Sequence, residues 1–246
     1  MKNIVFLVSF KLLLMFFIAY SAGLLVKYKH VRVNYTRKIN HFFLFFIPAF
    51  IDHYFLKSEN ISIALINQAL FVFASFIIFV KPLRTKIKII ATAFSSFDRP
   101  EDRPYTLLWY MSQVIVGYLV LIWVIVLYDH HHMLPVLNIV ILIGVFGDGL
   151  AEPIGIKFGK HKYTTPAIFR QKKYVRTLEG SSVIFITSII IVSIFSHAFN
   201  HTQFLIALAT IPIAMTLAEA FSPHTWDDPL MITVGSLLIF WIKTFF

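Results

Sequence analysis

The sequence predicts an all-α, multi-pass membrane protein, and three observations carry that prediction. Of the 246 residues, 58% are hydrophobic and only 14% charged, where a soluble domain averages about 45–50% and about 25%. Mean hydropathy is +0.78, and Phe alone occurs 27 times, more apolar surface than one water-soluble core can hide. Apolar runs close to the roughly 20 residues of a bilayer crossing recur along the whole chain. A soluble domain, a disordered chain and a disulfide scaffold are excluded. With no cysteine, so are thiolate nucleophiles, Cys-bound zinc and iron–sulfur clusters.

Eight spans are expected, at about 3–26, 40–56, 61–80, 106–128, 134–156, 180–199, 203–222 and 229–246. The first is too long for a cleavable signal peptide and has Lys11 inside it, a residue expected to snorkel or to face another helix. Leu83, Ile87, Ile90, Phe94 and Phe97 recur at helical spacing with Lys86 and Lys88 between them. That pattern predicts an amphipathic helix over 83–97 lying on the cytoplasmic leaflet. No internal repeat or low-complexity tract occurs, and residues 1–246 read as one integral-membrane catalytic domain.

Charge sets the orientation. The formal net charge is +10, which suits an anionic partner such as lipid headgroups or a phosphorylated small molecule. Nucleic acid is not an expected partner, because the cations sit in short loops between apolar spans. Loop 27–39 carries Lys27, Lys29, Arg32, Arg37 and Lys38; loop 81–104 carries Lys81, Arg84, Lys86, Lys88, Arg99 and Arg103. Loop 157–178 carries Lys157, Lys160, Lys162, Arg170, Lys172, Lys173 and Arg176, so these three loops hold eighteen of the 22 Lys and Arg residues. The alternate loops 58–60, 129–133 and 200–202 hold none. The positive-inside rule then places the basic loops in the cytoplasm and both ends of the chain outside.

Ionisable residues within spans are costly and point to function. Asp148 and Glu152 lie in the fifth expected span and Glu219 in the seventh. At about 1.5 Å per residue, they lie roughly 21, 27 and 24 Å from the outer ends of those spans. All three therefore reach the cytoplasmic third. Glu179, Asp227, Asp228, Asn40 and His41 fall on the same side. Asp148 and Glu152 are one turn apart on one helix face, and two like charges there call for a cation, which a hard ion such as Mg²⁺ supplies. A packing seam with both acids tied to loop cations is the other reading of this pair. Gly144, Gly147, Ala151, Gly155 and Gly159 form a small-residue stripe that lets helices approach closely, and Pro153 is expected to kink the helix. The basic loop that follows suits a metal–polyphosphate. No P-loop or kinase glycine-rich loop occurs. His130, His131 and His132, with Asp129, read as a solvated outer loop, as do His197 and His201; Asn60 and Asn200 begin outward-facing sequons.

Gly147-Asp148-Gly149-Leu150-Ala151-Glu152, Gly155-Ile156-Lys157-Phe158-Gly159-Lys160-His161 and Arg176-Thr177-Leu178-Glu179-Gly180-Ser181 together resemble the signature of the CTP-using integral-membrane enzymes. That superfamily includes phosphatidate cytidylyltransferase, dolichol kinase and phytol kinase. Arg37-Lys38-Ile39-Asn40-His41, Glu219 and Asp227-Asp228 match its sparser motifs. The resemblance is dense over about 147–182 and thin elsewhere. Ile156-Lys157 and Arg176 depart from the commoner Gly-Arg and Lys, and Asp228 stands where Asn is expected. The cytidylyltransferase's Ser-Pro-Gly-Lys-Thr form and its C-terminal signature are missing, which favours the kinase branch.

The resemblance implies a multi-pass membrane enzyme of the bacterial inner membrane, or of an ER-type membrane, working at the cytoplasmic face. It would transfer the γ-phosphate of CTP to an isoprenoid or related lipid alcohol. Asp148 and Glu152 would hold Mg²⁺ with support from Glu179. Lys160, His161, Lys162, Arg176, Gly180 and Ser181 would contact the nucleotide, and Glu219, Asp227 or His41 would accept the hydroxyl proton. Two alternatives stay open: a cytidylyltransferase making a CDP-lipid from phosphatidate, and a non-catalytic transporter or assembly protein.

Overall fold

The computed structural model describes residues 2–56, 61–167 and 173–246. Lys57, Asn60 with the start of its sequon, Arg170 and Lys172 lie outside them. The fold is all-α and polytopic. Among the described residues, eleven α-helices and one two-stranded hairpin follow in order, and five helical runs are long and apolar enough to cross a membrane: Ile4–Lys29, Thr106–His130, Leu134–Phe158, His201–Phe221 and Asp227–Phe245. Ile63–Ile78 and Leu178–Ile194 are apolar but shorter. The second expected span, 40–56, falls within α2 (Val33–Ile51) and the π-helical turn Asp52–Leu56. α2 carries Arg37 and Lys38 in its N-terminal half and is not among the five runs. Large apolar side chains such as Leu119, Val126, Ile186, Ile213 and Trp241 stay exposed along these helices, as lipid-facing residues do.

The chain divides into two compact units, Met1–Met111 and Ser112–Phe246. In the first, α1 (Lys2–Lys29) packs beside α5 (Lys88–Phe94). Gly23 is what permits that approach, because a Cβ there would stand 1.9 Å from the Thr92 carbonyl oxygen. Lys11 does not snorkel. It is fully buried and pairs with Asp52 at 2.7 Å, and Asn67 donates to Asp52 Oδ1 at 2.8 Å, so the buried cation is compensated.

The amphipathic helix expected over 83–97 is not continuous. It is broken into α4 (Lys81–Lys86) and α5, with Ile87 extended at φ −114°, ψ 105° between them. The break has a packing reason. Phe94 and Phe97 turn inward onto Phe79, with ring centroids 6.1 and 5.1 Å away, while Ile87 and Ile89 remain exposed. One straight helix would put all five apolar residues on one face.

The second unit is built around the run Leu134–Phe158. Of its apolar window 56% is buried, against 11–33% for the other four spans, so this is its central helix. It consists of α7 (Leu134–Leu142), a π-helical turn Ile143–Asp148 and α8 (Gly149–Phe158). Pro153 sits inside α8 without ending it. α6 (Thr106–His130), α9 (Leu178–Ile194), α10 (His201–Phe221) and α11 (Asp227–Phe245) complete the unit. Ile139, Ile143, Ile184, Ile211, Met215 and Ile239 are fully buried in its core. Tyr128 anchors its hydroxyl on the Ser236 carbonyl at 2.7 Å.

The basic loop is where local structure departs most from the sequence reading. Part of it is a β-hairpin, β1 (Lys162–Thr165) antiparallel to β2 (Tyr174–Thr177), with Tyr163 opposite Arg176. The signal was present in the β-branched and aromatic runs Tyr163-Thr164-Thr165 and Tyr174-Val175. The count of cations obscured it. Tyr174 stacks on His224 at 3.4 Å between centroids, and the His224 amide donates to the Pro166 carbonyl at 2.9 Å. Those contacts lay the hairpin on the α10–α11 connection.

Candidate functional site

Small residues bring the site together. A Cβ on Gly180 would stand 2.9 Å from the Ala151 carbonyl, and one on Gly155 would stand 2.6 Å from Thr177 Oγ1. The start of α9 therefore rests directly on α8, and the stripe read from the sequence serves that approach. Thr177 caps α9, its hydroxyl accepting from the Gly180 amide at 3.1 Å, which satisfies one of the helix's open donors. Gly180 thus fits tightly against α8 instead of presenting an open backbone.

Arg176, at the end of β2, is the hub. Its guanidinium pairs with the Glu219 carboxylate and donates to the Glu219 carbonyl and to Ser222 Oγ. It lies 3.8 Å from Asp227. Burial works against its charge, but the carboxylates of Asp227 and Glu219 more than compensate, so the guanidinium is held above its ordinary pKa. Ser181 donates to the second Glu219 oxygen at 2.9 Å, and the Tyr163 hydroxyl meets Ser181 Oγ at 2.6 Å. Burial, then the nearby Glu219 charge, push the Tyr163 phenol upward, so it stays a hydroxyl donor. Tyr163, Ser222 and Gln113 escaped the sequence reading. Only the strand register, which sets Tyr163 opposite Arg176, could have found the first of them.

Asp148 closes the π-helical turn and is 6% exposed. Such turns widen a helix by one residue and recur at functional sites. Its carboxylate and that of Asp228, in the first turn of α11, offer oxygens within 4.8 Å of each other. Gln113 donates to Asp228 at 2.6 Å. Two hard carboxylate donors at that separation fit a magnesium-like cation. The aspartate in place of the usual Asn is therefore one of the pair. Glu152, half-buried, is one turn further along α8.

The remaining expected residues distribute as follows. Glu179 is occupied by His161, whose Nδ1 lies 2.8 Å from its carboxylate and whose backbone amide donates to both oxygens at 3.3 Å. Lys160, His161 and Lys162 are exposed at the turn between α8 and β1. Glu219 has both oxygens engaged, by Arg176 and Ser181. Asp227 shares the first turn of α11 with Asp228 and touches Arg176 alone among these groups. His41 and Asn40 belong to α2, in the first unit.

These features define an all-α polytopic membrane protein whose second unit joins a carboxylate pair to a buried Arg–Glu–Ser–Tyr network. Over 108 residues the chain is 32% identical to the phytol kinase of Synechocystis sp. (strain ATCC 27184 / PCC 6803 / Kazusa), a similarity that covers 43% of each protein. No family model matches the chain. No solved structure matches it either.

Proposed function

We propose that the chain is a lipid kinase that transfers the γ-phosphate of CTP to an isoprenoid or related lipid alcohol at the cytoplasmic membrane face. The observation that carries this reading is the Asp148–Asp228 carboxylate pair in the same packed unit as Arg176. The similarity to a phytol kinase supports the lipid-kinase class. The choice of CTP rests on the signature resemblance over 147–182.

In this reading Asp148 and Asp228 hold Mg²⁺, with Glu152 close by on α8, and the ion supplies neutralisation of phosphate charge. Lys160 and Lys162 provide exposed cations for the polyphosphate. Arg176 orients the loop, its fork taken up by Glu219 and Ser222, and it adds positive potential next to the carboxylates. The alcohol oxygen forms a bond to the γ-phosphorus, the bond from that phosphorus to the β–γ bridging oxygen breaks, and CDP departs. The hydroxyl proton passes to a carboxylate. Asp227 suits that role better than Glu219, because both Glu219 oxygens already accept hydrogen bonds.

Purified protein given CTP, Mg²⁺ and a panel of isoprenoid alcohols is expected to yield lipid monophosphate, detected by mass spectrometry. Chelation should abolish the product and added Mg²⁺ restore it. Undiminished product in excess chelator would remove the metal from the account.

A further inference from the structure

The first unit contains a feature that the phosphate chemistry does not use. Between α1, α2, α3 (Ile61–Ile78) and the start of α6 lies a partly open cavity. Its walls are apolar, with Leu44, Phe71, Phe76 and Phe97 among them, and no charged side chain among the described residues lines it. Asn40, Ser75 and Tyr110 are its polar lining residues.

Asn40 is 5% exposed. Its amide nitrogen is fully used, donating to Ser96 Oγ at 2.8 Å and to the Thr36 carbonyl at 3.0 Å. Those two bonds fix which end of the amide is which. Its Oδ1 is buried and accepts no hydrogen bond among the described residues. The Ser75 hydroxyl, by contrast, already donates to the Val72 carbonyl at 2.6 Å. A buried acceptor left unmade is unfavourable, so Asn40 Oδ1 calls for a donor. The arrangement selects a ligand chemically: a long apolar body and a neutral donor group at one end. A phosphate ester brings only charge and acceptors at neutral pH and finds no cation here. A hydroxyl fits.

We infer that this cavity binds a long-chain alcohol, with Asn40 Oδ1 accepting the hydroxyl proton's hydrogen bond. The choice of an isoprenoid alcohol as probe rests on the kinase reading, and binding is measured without nucleotide. The probe is geranylgeraniol carrying a diazirine on its chain, photolysed with the full-length protein in detergent micelles, followed by peptide mapping. Labelling is expected within residues 12–19, 44 and 71–79, competed by unmodified geranylgeraniol and not by phosphatidate or geranylgeranyl phosphate. Ser75→Phe, which fills the cavity without touching the Asn40 bonds, should abolish it. Asn40→Leu should weaken binding by about tenfold, the equivalent of one lost hydrogen bond. Labelling of wild-type protein elsewhere only, or equal competition by the phosphate ester, would overturn the inference even if a variant failed to fold. Specific labelling without phosphate transfer would leave the cavity standing and sink the kinase reading; phosphate transfer without specific labelling would do the reverse.

Discussion

Asp148→Asn is expected to lower phosphate transfer by orders of magnitude while leaving the protein inserted and folded. Asn preserves the size of the side chain at the end of the π-helical turn but removes the formal charge that a hard divalent cation requires. Asp228 alone would then hold the ion with half the carboxylate charge. Because the residue is 6% exposed and sits in a membrane-spanning run, neutralising it makes the span easier to insert. The variant should therefore match wild type in membrane yield and thermal unfolding, and differ in turnover. Retention of more than about a tenth of the activity would make Asp148 a structural residue. Asp228→Asn offers an internal comparison, since it restores the residue that the resembled signature carries.

The second large effect is on stability. Arg176→Met leaves Glu219 buried at 6% exposure with Ser181 as its remaining side-chain donor. Breaking a buried ion pair from one side typically costs about 3–5 kcal/mol, whereas replacing both partners by apolar residues is often close to neutral. Arg176→Met should thus depress thermal unfolding in detergent sharply, and Arg176→Met combined with Glu219→Met should recover most of the loss. Arg176→Lys should fall between them, because an ammonium cannot reproduce the fork that reaches both Glu219 and Ser222. An unchanged unfolding temperature for Arg176→Met would show that the hub contributes nothing to the hairpin's placement.

The membrane class was legible from apolar run length alone, since every backbone group in a bilayer must be satisfied within the segment. Asp148, Glu219 and Arg176 were legible as well, because an ionisable side chain in or beside an apolar run needs a partner. What hydropathy does not encode is which partner. The sequence reading paired Asp148 with Glu152 by helical spacing, and the fold adds Asp228, eighty residues on in sequence, within reach of Asp148. Nothing local announces that. Lys11 likewise gave no sign that Asp52 would meet it, because the pairing depends on how α1 packs against the end of α2. The π-helical turn before Gly149 adds a residue to the helix without altering its apolar period enough to read. The hairpin was legible in principle from Tyr163-Thr164-Thr165 and Tyr174-Val175, but a count of charges is blind to alternation. The break at Ile87 came from aromatic packing of Phe94 and Phe97, a tertiary effect that overrides amphipathic periodicity.

In the proposed reaction the alcohol oxygen attacks the γ-phosphorus of CTP. A cytidylyltransferase would share the metal and the nucleotide, but its lipid phosphate would attack the α-phosphorus and release pyrophosphate. Loss of Asp148 would silence either reaction, so mutagenesis does not separate them. The fate of one phosphorus atom does. Detergent-solubilised protein given CTP labelled at either the α or the γ position, with isoprenoid alcohols and phosphatidate together, is expected to carry γ label into the lipid phase and leave α label in water as CDP. Reproducible α label in lipid that depends on phosphatidate would contradict γ-phosphate transfer and identify a cytidylyltransferase.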